Sequence, residues 1–150
     1  MPKYRYGRRS LRALNSCIPD LILLFTEVLA DPECPSDITI TEGHRTHARQ
    51  AKLFAQGRSE PGRIVTHAKP GQSAHNHFPS PAVDAAPYLD TDGDGDSELS
   101  WDWDDYYPLA DFIKAKWAQL KAEGRVSGTL IWGGDWKKTK ADGPHWEVRR

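Results

Sequence analysis

Two histidines and two aspartates mark this chain as one that could do metal chemistry. They fall in three short stretches, Ser73-Ala74-His75, Ala82-Val83-Asp84 and Asp142-Gly143-Pro144-His145. Neutral imidazoles and an ionised carboxylate are zinc ligands, and a hydrolytic zinc site keeps three protein ligands and leaves a fourth position for water. His75, Asp84 and His145 supply such a set. Asp142 stands three residues before His145, within reach of that water without ligating the ion. There it could take a proton and hand it to a leaving group. His75 and Asp84 can face each other only if the chain between them doubles back. Pro79-Ser80-Pro81 is suitable turn chemistry.

The order S-x-H, A-x-D and a distal [DE]-x-x-H resembles the M15 family of zinc peptidases, which act on peptidoglycan. Within it, the chain is most similar to the phage endolysins of the L-alanyl-D-glutamate peptidase type. The resemblance runs from about Tyr6 to Val148. It implies zinc held by His75, Asp84 and His145, with Asp142 as general base and then acid. The family separates its first His and its Asp by six residues, one of them Gly. Here eight residues follow His75 and that Gly is missing, while His77 restores the interval but loses the Ser-x-His register. His75 is preferred as the ligand and His77 is the alternative. Gly43-His44-Arg45-Thr46 matches the family's G-x-R-T, which implies that Arg45 stabilises the oxyanion. Gln50, one helical turn on, and Ser73 are expected on the substrate side. Glu147 is a weaker catalytic candidate, more simply a carboxylate supporting the site or facing solvent. Trp132-Gly133-Gly134-Asp135-Trp136 resembles a family segment beside the cleft.

The implied partner is peptidoglycan and the implied activity is cleavage of its peptide stems in host lysis. A D-alanyl-D-alanine carboxypeptidase is the runner-up. A non-catalytic wall- or metal-binding phage protein is the rival outside the class. His75-Asn76-His77 is not an HNH nuclease signature, because that motif is spread over a longer fold element. The net charge of -1 also argues against a nucleic-acid partner. Asp90, Asp92 and Asp94 resemble the first half of a calcium loop, with Gly95 at the tight turn. Position twelve is Trp101, so the expected bidentate acid is absent.

Those side chains need a scaffold. At 150 residues, 38% apolar and 27% charged, the chain suits one domain with a genuine core. No separate wall-binding domain is expected, and a monomer is. Six Trp and five Tyr suit a peptide or carbohydrate groove as well as a core. Cys17 and Cys34 bracket an apolar segment, and two free thiols are expected. The N-terminus is basic (Lys3, Arg5, Arg8, Arg9, Arg12) but no apolar run of signal-peptide length follows. The expectation is synthesis in the host cytoplasm without stable membrane insertion, and action on the wall after release across the inner membrane.

Pro19 opens a helix running to about Ala30, apolar nearly all round and therefore buried. Asp37 to Thr41 alternates as a strand. Thr46 or His47 to about Ala55 reads as a short helix, and residues 57–73 as a loop over one face. Pro81 to Ala86 is a strand carrying Asp84. Residues 105–123 form the clearest amphipathic helix, closed by Gly124. Thr129 to Trp132 and His145 to Val148 are strand-like. Helices and strands mix without regular βαβ alternation, which predicts an α+β fold with a small antiparallel sheet. The resemblance implies the Hedgehog/DD-peptidase-like zinc peptidase fold, with the metal in its cleft.

Overall fold

The computed structural model describes residues 2–150. Its helices are α1 (Arg8–Asn15), α2 (Pro19–Ala30), α3 (His47–Ala55) and α4 (Trp103–Ala122). Its strands are β1 (Asp37–Glu42), β2 (Ala82–Leu89), β3 (Glu98–Leu99), β4 (Thr129–Trp132) and β5 (His145–Arg149). All strand pairs are antiparallel, in the order β1-β2-β5-β4, with β3 pairing the far end of β2. The predicted α+β class with a small antiparallel sheet is what forms.

Alternation along the strands separates two faces. Val83 pairs with Trp146, and both join Ile38, Ile40 and Val148 in the core. The next residues, Asp84 and His145, also pair, and they point to the opposite face. Against the core face lie α2, through Leu21, Leu24, Phe25 and Val28, and α4, through Leu109, Ile113, Trp117 and Leu120. Each such side chain contributes about 1.5–3 kcal/mol on burial. The sheet that carries the polar residues is thus backed by an apolar layer that fixes its position.

Three elements differ from the sequence expectation. Patterning assigns nothing before Pro19, yet α1 forms there. Only Ser10 and Leu14 of α1 are buried, and its N-cap, Gly7, offers no side-chain bond. So short a helix depends on tertiary contacts. Ser10 Oγ accepts from the Ile40 amide at 3.1 Å, covering the edge of β1. Strand β2 runs on to Leu89 and pairs with β3, closing the acidic loop between them. Helix α4 begins at Trp103, capped by Asp102, whose carboxylate accepts from the Asp104 amide at 2.9 Å. Pro108 therefore lies two residues deeper in the helix than expected.

Both cysteines are free and buried. Among the described residues, no helix is long and apolar enough to cross a membrane.

Candidate metal centre

His75 enters from a short 3-10 turn, Ala74–Asn76, rather than from a regular element. The Ser73 hydroxyl accepts from the His75 amide at 3.2 Å. Asn76 is buried, and its Oδ1 accepts from the amides of Gly71 and Ser73 while its Nδ2 donates to the Arg45 carbonyl. The turn is thereby tied both to itself and to the Arg45 segment. His77, two residues on, is exposed and outside the cluster, so the structure selects His75. The segment between His75 and Asp84 is pinned as well. Ser80 exchanges backbone bonds with Ser16 and Ile18 at 2.9 Å, which delivers the chain into β2.

Three atoms converge. His75 Nε2 lies 3.2 Å from Asp84 Oδ1 and 3.3 Å from His145 Nδ1, and the last two are 3.4 Å apart. A tetrahedral ion with bonds of about 2.0–2.1 Å spaces its ligand atoms about 3.3–3.4 Å apart, so the triangle fits one. The remaining ring nitrogens are also committed. His75 Nδ1 donates to the Gly43 carbonyl at 2.8 Å, and His145 Nε2 donates to Glu147 Oε1 at 2.8 Å. In the neutral form of each ring that bond leaves the other nitrogen's lone pair facing the triangle, the usual way a ligating imidazole is oriented. Glu147, only a weaker catalytic candidate from sequence, is the group that sets the His145 tautomer.

Charge is strongly organised here. Burial works against the Asp84 charge, but hydrogen bonds with His145 and His75 outweigh it and hold its carboxyl well below the usual range. Burial likewise opposes charge on His145, yet Asp84 and Glu147 hold its pKa up to about 9. The His145 hydrogen bond, with help from Arg149, brings Glu147 down to about 2. Asp142 goes the other way. Burial first, and then the Asp84 charge, raise its pKa. Its carboxylate accepts no hydrogen bond among the described residues, so its oxygens are free for a proton. The backbone holds it instead: the Asp142 amide donates to the Gly133 carbonyl at 2.9 Å. Trp132 Nε1 donates to the Gly143 carbonyl at 2.7 Å, giving the Trp132-to-Trp136 segment its part in the site. A Cβ on Gly133 would meet the Asp142 carbonyl oxygen at 2.5 Å, so only glycine allows this approach.

Arg45 is fixed from two sides. Its Nε donates to Glu42 Oε1 at 2.9 Å and its Nη1 to Gln50 Oε1 at 2.8 Å. The free end, Nη2, lies 3.9 Å from Asp84 Oδ2. Glu42 reaches this place through a bulge between Ile40 and Glu42, which sets it opposite Asp84. Sequence reading missed Glu42 and Asn76, and it placed Gly43 in the G-x-R-T match without the carbonyl contact to His75. The G-x-R-T match was the signal nearest to them.

One expectation needs correcting. Gln50 does not line a substrate surface. It is fully buried, and its amide is consumed by Arg45, Thr66 and the Ala68 carbonyl, so it positions Arg45 and the loop after α3. The half-buried Ser73 hydroxyl accepts from the His75 amide, which positions the turn and leaves its own O–H free to donate. In the acidic loop, Asp90, Asp92, Asp94 and Glu98 bring oxygens within 4.8 Å of one another. Asp90 already accepts from the amides of Gly93, Asp94 and Gly95, and Glu98 turns back to Thr91. Those bonds account for the loop's shape without an ion.

The model of the phage L-alanyl-D-glutamate peptidase family matches residues 2–148. The chain belongs to that family. This phage-peptidase-family chain is 38% identical over 112 residues to the peptidoglycan L-alanyl-D-glutamate endopeptidase CwlK of Bacillus subtilis (strain 168). The matched region covers 75% of this chain and 60% of CwlK, so the family member described here spans well under the relative's full length. Its fold is shared with the Serratia marcescens L-Ala D-Glu endopeptidase ChiX, with a TM-score of 0.64 at 24% identity over 98% of this chain and 92% of that one.

Proposed function

We propose that this chain is a zinc metallopeptidase that cuts the peptide stems of bacterial peptidoglycan at the L-alanyl-D-glutamate bond. The observation that carries this reading is the triangle of His75 Nε2, Asp84 Oδ1 and His145 Nδ1. Two imidazoles and one carboxylate form a donor set that zinc takes in hydrolytic enzymes. When bound, the ion would polarise the attacking water and the scissile carbonyl.

The remaining work falls to the chain's own residues. Asp142 takes the proton of the attacking water and passes it to the leaving amine. Its half-buried setting, with a raised pKa, suits a group that must both accept and return a proton. Arg45, anchored by Glu42 and Gln50, presents Nη2 to the negative charge that develops on the carbonyl oxygen. A fixed donor aimed at that charge is worth several kcal/mol of barrier. Glu147 and the Gly43 carbonyl keep both imidazoles in register and take no part in proton transfer.

The endopeptidase reading is preferred to a D-alanyl-D-alanine carboxypeptidase because the matching family and relative are both named for the L-alanyl-D-glutamate bond. The protein acts as a monomeric lysis enzyme that meets the wall after release across the inner membrane. Digestion of purified peptidoglycan followed by mass spectrometry tests the reading. New N-terminal D-glutamate or isoglutamine is the expected product. Free D-alanine would identify a carboxypeptidase instead, and intact muropeptides with bound zinc would indicate a non-catalytic wall protein.

A further inference from the structure

A groove of about 600 Å³ runs between α1 and β1. Arg9 and Arg12 stand on its α1 wall, Arg49 of α3 stands opposite, and Glu42 and Gly43 form part of its floor. Those floor residues belong to the metal centre too, since Glu42 anchors Arg45 and the Gly43 carbonyl orients His75. The groove therefore begins where the site ends.

Its charge is unbalanced. Glu42 is its one carboxylate, and that group is already taken by Arg45 and by Arg49, whose Nε donates to it at 3.0 Å. Arg9 and Arg12 are exposed and make no ion pair among the described residues. In a chain with net charge -1, two unpaired guanidinium groups on the wall of one groove are a local excess. Planar guanidinium forks match carboxylates in geometry and charge.

The geometry points to this groove as the subsite for a free carboxylate of an acidic peptide substrate, with Arg9 and Arg12 as its recognition residues. The assignment rests on the peptidase reading and deepens it. A stem peptide cut before D-glutamate carries a free carboxylate beside the scissile bond, and amidation to isoglutamine removes it. The groove makes the enzyme prefer the acid form.

The test compares an acidic stem peptide with its amidated counterpart as substrates for the wild-type chain, the double variant Arg9→Gln/Arg12→Gln and a control, Arg8→Gln. Arg8 lies on the same helix and is also exposed, but it does not line the groove. The double variant is expected to raise KM for the acidic peptide about tenfold, the order that one charge-assisted hydrogen bond supplies, with kcat unchanged. KM for the amidated peptide should stay within twofold, and Arg8→Gln should change neither. Calorimetric binding of the acidic peptide, read without turnover, should weaken in parallel. Equal loss on both peptides, or the same loss in Arg8→Gln, would overturn the subsite and leave only general electrostatics. A wild-type chain that binds the acidic peptide through Arg9 and Arg12 but cuts nothing would overturn the peptidase reading and leave the subsite standing. Thermal midpoints of all three proteins should agree, as expected for exposed side chains.

Discussion

Asp142 and the three converging residues differ in what a neutral substitution removes. Asp142→Asn takes away one proton acceptor and almost no volume, so the fold and the metal should remain. Turnover should fall by roughly 10²–10⁴-fold, the range for positioned acid–base groups. Elemental analysis and muropeptide cleavage on one preparation check this. Loss of metal together with activity would make Asp142 a ligand. His75→Ala should lose stoichiometric metal, whereas His77→Ala should not, because only His75 sits in the triangle. Retained metal in His75→Ala would move the ligand elsewhere. Glu147→Gln tests orientation alone. Its amide oxygen can still accept from His145 Nε2 but without charge, and metal affinity should weaken by about 10–100-fold, as for other groups that orient ligands. A competition titration with a chelator reads that shift.

At the scale of elements, the junction of α1, β1 and the His75 turn is where packing meets function. A Cβ on Gly43 would lie 2.0 Å from the Ala13 carbonyl oxygen and 2.4 Å from Ser16 Oγ. Backbone cannot yield as a flexible side chain can. Gly43→Ala should therefore push α1 from β1 and displace the carbonyl that holds His75. A loss of about 1–3 kcal/mol in urea unfolding is expected, at the overpacking scale, together with weaker metal binding in the folded fraction. Wild-type stability with wild-type affinity would show that α1 moves freely. Strand β1, α2 and α4 were legible from alternation and helical spacing, because each buries a regular stripe. Helix α1 was not, since it buries only Ser10 and Leu14 and owes its conformation to the strand edge it covers. The bulge near Glu42 was equally silent, because it arises from pairing with β2 rather than from the residues themselves.

For the whole molecule, the buried thiols report on integrity. Burial pushes the Cys17 thiol up to about 12 from an ordinary 9.0 and also raises Cys34. Neither should react with a thiol reagent near pH 8 until the protein unfolds. Prompt labelling of either native cysteine would contradict the packing. The raised Cys17 pKa also has a sign for stability. The unfolded thiol ionises first, so this contribution is full below about pH 9.0 and is lost as pH rises toward about 12. Unfolding midpoints across that window should fall, and Cys17→Ala should flatten part of the slope.

The amino-acid sequence carried the α+β class and pointed to two histidines, two aspartates and Arg45 as candidates for one site. The class follows from local periodicity and the ligand chemistry from residue types, neither of which needs distant contacts, while Arg45 and the grouping of the set came from motifs that resemble the family's. Only the tertiary structure decided between His75 and His77, because the choice depends on a turn pinned to Ser16 and Ile18 far away in the chain. It also moved Gln50 from the substrate side into the scaffold, since burial and partner count are properties of the packed molecule. The basic N-terminus, read from sequence only as a segment without a signal peptide, became one wall of a groove when α1 docked against β1. A charge acquires direction only when its neighbours are in place.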